Sequence, residues 1–337
     1  MKKIIQIIFV LPFILGAQEA DQPLQGSISK IAFGSCSHQS KVDQQLWQEV
    51  NATQPDLWVW LGDNIYGDTE DMKVMRQKYD LQKSNTEYQT LLENTQVVGI
   101  WDDHDFGVND GGKEYPMKDE SKDELFAFLD VPADHPAYQR KGAYQSYSFM
   151  SGDQKVKIIL LDTRYFRDSL AKDQRNWNIP NATGEILGEA QWKWFEQQLS
   201  DSSVDCYLIA SGIQVIPTEH RFEKWANFPN EIDRLNDVLS RLDKPAIILS
   251  GDRHISEVSQ TQVEGYPFPL YELTSSSLTN PWGEPRDEPN PFREKSIVYD
   301  VNFAVLELVF NDRLPSFKLS YVGKDNNVLQ THTIQLD

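Results

Sequence analysis

Five apolar runs in this chain end in polar residues able to do chemistry. Ile31-Ala32-Phe33-Gly34 leads into Ser35-Cys36-Ser37-His38, and Trp58-Val59-Trp60-Leu61 leads into Gly62-Asp63-Asn64-Ile65-Tyr66-Gly67-Asp68. Val98-Gly99-Ile100-Trp101 is followed by Asp102-Asp103-His104-Asp105. Ile158-Ile159-Leu160-Leu161 is followed by Asp162-Thr163-Arg164, and Ile247-Ile248-Leu249-Ser250 by Gly251-Asp252-Arg253-His254. One Asp after a buried strand is ordinary, because Asp starts turns and caps helices. Capping does not also call for Cys, Tyr, His and Arg. Carboxylate and amide oxygens suit Ca²⁺, Mg²⁺ or Mn²⁺, whereas imidazole and thiolate suit Fe or Zn. The mixed set therefore fits a softer and a harder cation position side by side. Two cations bridged by a carboxylate are a recurrent device for displacement at phosphorus. Asp63, on a tight Gly62-Asp63 tip, is the natural bridge.

Such tips converge only if their strands are arranged to bring them together. In α/β sheets the carboxyl ends of the strands gather on one edge, where sites are built. Strands are predicted over 28–34, 57–61, 97–101, 204–210 and 246–250, with a hairpin of 143–150 and 156–161. Helix faces recur at Val42, Leu46 and Val50, at Leu187, Ala190, Trp194 and Leu199, and at Ile232, Leu235, Leu239 and Leu242. After about residue 268 the pattern is mostly β, over 269–274, 303–309, 317–322 and 328–334. This order predicts a mixed α/β fold in which the late strands form a second sheet packed on the first. The irregular stretch 279–294, rich in Pro, Asp and Glu, is either an active-site rim or a mobile loop.

The N-terminus has the layout of a secretory signal peptide: Met1-Lys2-Lys3, an apolar run from Ile4 to Leu15, then Gly16-Ala17 before a polar stretch. Cleavage is expected near Ala17, giving a secreted or periplasmic protein with no membrane anchor. The chain carries Lys+Arg 32 against Asp+Glu 51, a net charge of −19 that becomes −21 once residues 1–17 and their two lysines are removed. That excess argues against nucleic-acid or anionic-membrane binding, which needs a basic footprint. It does not exclude a small phosphate ester, because bound cations reverse the sign locally. With 337 residues the chain can bury a large core. Export permits disulfides, but there are only Cys36 and Cys206, and Cys206 reads as a small hydrophobe in a buried strand. Asn51-Ala52-Thr53 and Asn181-Ala182-Thr183 are glycosylation sequons.

The motif set resembles the PhoD-like alkaline phosphatase/phosphodiesterase family, a branch of the calcineurin-like metallophosphatases. The resemblance rests on Phe33-Gly34-Ser35-Cys36, Leu61-Gly62-Asp63-Asn64-Ile65-Tyr66, Trp101-Asp102-Asp103-His104-Asp105 and Leu161-Asp162-Thr163-Arg164. It continues through Leu187-Gly188-Glu189-Ala190-Gln191-Trp192, Ser211-Gly212-Ile213-Gln214-Val215 and Leu249-Ser250-Gly251-Asp252-Arg253-His254, in family order across 33–254. It implies an α/β/β/α sandwich of two packed mixed sheets flanked by helices. The domain would span 18–337, with its β-rich part at 268–337. It also implies a short form, without the N-terminal β-sandwich of many members or an evident C-terminal covering helix. The expected activity is hydrolysis of a small phosphate mono- or diester by hydroxide activated at a dinuclear or trinuclear Fe³⁺/Ca²⁺ site, with Zn²⁺ or Mn²⁺ as alternatives. By this likeness Cys36, Asp63, Tyr66 and His254 would hold Fe³⁺, and Asp63, Asn109 and Asp252 would hold Ca²⁺. Asp103 competes with Asn109 for that place. His104 would protonate or polarise the leaving oxygen, and Arg164 would hold the phosphate. His38 either reaches this site or sits on a solvated loop.

The remaining histidines read plainly. His135 belongs to a turn, His332 is expected to face solvent in the last strand, and His220 is structural near the pocket rim. Trp282 either lines a groove or sits on an exposed loop. A monomer is expected. Two rival readings differ in kind: a non-catalytic secreted calcium-dependent binding protein, and a carboxylate-only hydrolase that would survive chelators.

Overall fold

The computed structural model describes residues 21–336 apart from 42–45, 286–287 and 312–313. The expected leader and Val42 lie outside the described residues. In chain order the first half contains β1 (Gln22–Ser27), β2 (Lys30–Gly34), α1 (Trp47–Thr53), β3 (Leu57–Leu61), α2 (Met72–Lys83), α3 (Thr86–Asn94), β4 (Gln96–Ile100), α4 (Asp103–Phe106) and α5 (Lys118–Phe128). Next come β5 (Gln145–Ser151), β6 (Gln154–Leu161), the short pair β7 (Ala171–Lys172) and β8 (Asn178–Ile179), α6 (Gly188–Leu199), β9 (Cys206–Ser211) and α7 (Pro229–Ser240). The chain finishes with β10 (Ala246–Ser250), β11 (Ser256–Thr261), β12 (Leu270–Ser275), β13 (Phe303–Asn311), β14 (Leu314–Val322) and β15 (Val328–Gln335).

Two mixed sheets form the core. One has six strands in the order β15-β14-β13-β2-β3-β4, the other seven in the order β1-β5-β6-β9-β10-β12-β11. The late strands do not make a sheet of their own. β13 to β15 extend the sheet begun by β2, and β11 and β12 close the edge of the other. The reason is register: β13 pairs antiparallel with β2, Ala304 opposite Phe33, which gives the buried edge of β2 a partner. In the seven-stranded sheet the period-two alternation separates the faces. Ile158, Leu160, Leu208, Ala210, Ile247 and Leu249 pack toward the other sheet. Ile159, Leu161, Tyr207, Ile209, Ala246 and Ile248 pack with Trp192, Trp194 and Phe195 of α6 and Leu235 and Leu239 of α7. Burial on both faces is why these strands read as unbroken apolar runs.

The outer face of the six-stranded sheet is covered by aromatic packing. Trp47 of α1 meets Trp58 at 5.1 Å and Trp60 at 5.2 Å, both edge-on, and Trp60 Nε1 donates to the Tyr88 hydroxyl at 2.9 Å. α2 and α5 go unanticipated because their buried positions do not read as an apolar face: α2 buries only Met75, Tyr79 and Gln82, and α5 buries Lys122 and Glu124 beside Leu125, Phe126 and Phe128. Their neighbour α3 carries a legible start signal, since Asn85 accepts from Glu87 N and Tyr88 N. His332 corrects its expectation. It sits opposite Leu319 on β14, on the buried face, and its Nε2 meets Gln330 Oε1 at 2.6 Å.

β2, β3 and β4 run parallel, as do β6, β9, β10 and β12. Their carboxyl ends therefore gather on one side. The two edges are tied where Ser35 Oγ donates to the Ser275 carbonyl at 3.1 Å and Leu278 N donates to the Ser35 carbonyl at 3.2 Å.

Candidate metal centre

The tips of β2, β3 and β10 turn sharply as they leave the sheets. Cys36, Asp63, Asp252 and His254 have φ of 57°, 49°, 69° and 56°, the left-handed region that non-glycine residues seldom adopt. Such strain persists only where surrounding structure fixes it, and it concentrates at functional sites. Asp105 supplies part of that fixing. Its carboxylate accepts from Asp63 N at 3.1 Å, Asn64 N at 3.2 Å and Asp102 N at 2.7 Å, tying the tips of β3 and β4 together. Gly62, at φ +91°, lets these tips approach: a Cβ there would lie 2.3 Å from Asp102 Cβ.

Three groups of potential ligand atoms result, each with its atoms within 4.8 Å of one another. They are Cys36 with Asp63 and His254, Asp63 with Asp103 and His104, and Asp102 with Asp103 and Asp252. The first is thiol, carboxyl and imidazole; the last is all oxygen. Asp63 belongs to two groups, and so does Asp103. Cys36 Sγ lies 3.4 Å from Asp63 Oδ2 and 3.1 Å from Ser276 Oγ, whose oxygen also accepts from His254 N at 2.9 Å. His254 Nδ1 is engaged by the Asn280 carbonyl. That leaves Nε2 as its ligand nitrogen.

Charge balance tests whether these residues suit cations. Burial, then Cys36 and the neighbouring aspartates, push Asp63 well above the usual carboxylate range. Burial, then Asp103, lift Asp252 to about 7. Burial lifts the Cys36 thiol to about 12. Asp103 moves the other way: burial raises it, but Arg164, His104 and the Asp110 N–H outweigh burial and hold it at about 2. The Tyr66 hydroxyl and one oxygen of Asp102 are buried without a hydrogen-bond partner among the described residues. Buried carboxyls, a thiol and an unpaired phenol crowded together are costly as anions unless cations compensate them. The donor set therefore fits a metal centre.

His104 is held beside the centre. Its N–H donates to Asp103 Oδ1 at 2.8 Å, and its Nδ1 meets Asp68 Oδ1 at 2.7 Å. Burial lowers this histidine, yet the Asp68 hydrogen bond and the Asp103 charge outweigh it and raise it above its ordinary value. Tyr66 stacks near His104, with ring centroids 4.2 Å apart, and against His38 at 5.0 Å.

Two expected residues stand apart from the cluster of ligand atoms. Arg164, expected to hold the phosphate, is fully buried behind the centre. Its Nε donates to Asp102 Oδ1 at 2.7 Å and its Nη1 to Glu223 Oε2 at 2.6 Å, so its fork is spent on protein carboxylates. Asn109 is exposed on the pocket rim, while Asp103 is buried inside two ligand groups. Of the two candidates, Asp103 is the one whose carboxylate lies among the other acidic and imidazole ligand atoms. Sequence reasoning missed Asp102, Asp105, Asp68 and Ser276 as participants; only Asp102 and Asp105 carried a signal, as flanks of Asp103 and His104. Cys36 and Cys206 are both free and buried.

The centre floors a cavity of about 490 Å³. Its upper wall carries Lys172, Arg175, Arg221 and Arg253 together with Trp177 and Trp282. Residues 279–294 thus contribute a rim through Trp282. In a chain of net charge −19, four cations on one wall stand out, although Asp110 and Glu223 line the same cavity. No helix among the described residues is long and apolar enough to cross a membrane.

Comparison with known proteins agrees. The family model for PhoD-like phosphatase matches residues 31–308. A solved structure of PhoD is similar at a TM-score of 0.70 and 17% identity, covering 93% of this chain and 69% of that one. A crystal structure of a dimetal phosphatase from Danio rerio is similar at 0.59 and 12% identity, covering 93% of this chain and 100% of that one. At those identities the likeness is one of fold. No curated protein matches the sequence.

Proposed function

Because the chain belongs to the PhoD-like phosphatase family, and is thus a metal-dependent phosphoesterase, we propose that it holds Fe³⁺ and Ca²⁺ at adjacent positions and hydrolyses small phosphate esters outside the cytoplasm. Cys36, Asp63, Tyr66 and His254 form the softer position, with Zn²⁺ as its alternative occupant. Asp63, Asp103 and Asp252 form the harder one, with Mn²⁺ as its alternative. The observation that carries this reading is a chain of shared ligands: Asp63 joins the thiol–carboxyl–imidazole group to Asp103 and His104, and Asp103 in turn belongs to the all-carboxyl group with Asp252. When bound, the cations would neutralise phosphoryl oxygens and acidify a water for in-line attack.

The chain's own residues supply the rest. His104, with Nδ1 occupied by Asp68 at 2.7 Å, has Nε2 left to protonate or polarise the leaving oxygen. The Asp68 contact keeps it protonated to higher pH than an ordinary histidine. Arg164 acts from behind. It balances Asp102 and keeps Asp103 ionised, so that Asp103 is ready as a ligand. Export follows from the basic start, the apolar run and the small residues at Gly16-Ala17. N-terminal sequencing of the exported chain should begin near Gln18, and an intact Met1 would contradict export.

Hydrolysis of bis-p-nitrophenyl phosphate tests the function. Chelation should abolish it. Cys36→Ala and Asp252→Ala should each reduce it by more than the roughly 10- to 100-fold that loss of an outer-shell partner costs. Unchanged rates in both variants would overturn the two-position reading.

A further inference from the structure

The cavity above the centre does not end at its aromatic wall. A second cavity of about 330 Å³ shares Trp177, Arg221, Phe222 and Trp282 with it and adds Glu219, His220 and Glu288. The shared wall alternates cations and rings. Arg175 lies 4.2 Å over Trp177, Arg221 lies 6.0 Å from Trp177 and 4.9 Å over Phe222, and Arg253 lies 4.3 Å over Phe222 and 5.3 Å from Trp282. Phe222 and Trp282 are themselves 5.2 Å apart. None of these residues belongs to a ligand group.

The wall is fixed relative to the centre. Trp282 N donates to the His254 carbonyl at 3.1 Å, and Arg253 Nη2 pairs with Glu288 Oε2 at 2.6 Å. Trp177 is held on its hairpin by Asp173, whose Oδ1 accepts from Trp177 N at 2.9 Å, yet Trp177 stays 40% exposed. Arg221 is exposed and makes no ion pair among the described residues. His220 is 5% exposed, lines the second cavity and has no hydrogen-bond partner at either ring nitrogen among the described residues.

These features select a ligand. An alkyl chain would leave the buried His220 nitrogens without polar partners. A second phosphate would meet Glu219 and would have to compete with Glu288 for Arg253, to which that carboxylate is already paired. A flat heteroaromatic ring satisfies both demands: it stacks on Trp, Phe and guanidinium planes, and its edge offers the donors and acceptors that a neutral imidazole pairs with. We propose that this wall is a base-binding subsite, and that the substrate is a nucleotide ester whose phosphoryl group meets the metal centre while its base stacks on Trp177 and Phe222. This rests on the phosphoesterase reading of the centre.

Isothermal titration of the metal-loaded protein tests it, using the non-hydrolysable phosphonate analogues of adenosine 5′-monophosphate and of ribose 5-phosphate. The two differ only in the base. The adenosine analogue should bind roughly tenfold tighter or more, the scale of stacking one base on an aromatic side chain. Its advantage should fall toward unity in Trp177→Ala and in Phe222→Ala. Equal affinities in the wild type, an advantage kept in both variants, or tighter binding of a ribose bisphosphonate than of the adenosine analogue would each overturn the subsite. If bis-p-nitrophenyl phosphate is still hydrolysed in those cases, the subsite alone has failed. If neither phosphonate binds and no ester is hydrolysed, the phosphoesterase reading has failed with it.

Discussion

Arg164 shows how a motif residue can be spent on the protein's own carboxylates. It is fully buried between Asp102 and Glu223, and Glu223 also takes Arg167 Nε at 2.8 Å. Removing one partner of a buried, paired charge strands the others, at a cost of about 3–5 kcal/mol. Arg164→Gln should therefore lower the free energy of unfolding by about that much in a denaturant titration. If Arg164 instead gripped the phosphate, the substitution would raise KM and leave stability near that of the parent. The Asp-Thr-Arg block was legible in the sequence, but whether its arginine points outward or backward was not. That choice depends on Asp102 and Glu223, which lie 62 and 59 positions away in the chain. Cys36, Asp63, Asp103, Asp252 and His254 were legible because each stands at the end of an apolar run. Glu223 and Ser276, set in less marked stretches, gave no such signal.

At the scale of elements, the centre depends on strand tips brought closer than side chains ordinarily allow. Gly62 is the clearest case. Its φ of +91° suits glycine, and a Cβ would lie 2.6 Å from the backbone nitrogen of Asp102, which cannot swing aside. Gly62→Ala should destabilise the fold by at least about 1 kcal/mol and weaken metal retention, checked by denaturation and by metal analysis on the same sample. A variant as stable and as metal-rich as the parent would mean that the tips are not held by this approach. Most strands were legible because burial on both faces makes continuous apolar runs. The partnering of β13 with β2 was not, since pairing across the whole length of the chain leaves no local trace. α2 and α5 were hidden for another reason: α2 buries only three residues, and α5 buries the charged Lys122 and Glu124 among its apolar ones.

For the molecule as a whole, the buried acids make stability depend on what binds them. Without cations Asp252 stands at about 7 against an ordinary 3.8, and Asp105, raised by burial, also at about 7. Between those values the folded chain holds more protons than the unfolded chain, so stability falls as pH rises through the window. Bound cations favour the ionised carboxylates and reverse that slope. The thermal midpoint of chelated protein should thus drop between about pH 4 and about pH 7, while that of loaded protein should not. Parallel curves would contradict the assignment of Asp252 to a cation site. The charge of −19 acquires a division of labour: some of the acids line the centre beneath a wall carrying Lys172, Arg175, Arg221 and Arg253, and others, such as Glu231 and Glu272, are buried as acceptors of backbone N–H groups. The most direct measurement is the number of metal ions per chain in the purified wild type and in Asp63→Asn, by elemental analysis. At least two ions are expected in the wild type, with both positions depleted in the variant because Asp63 serves both. A wild type retaining one ion or none, or a variant retaining the full complement, would contradict the shared two-cation centre.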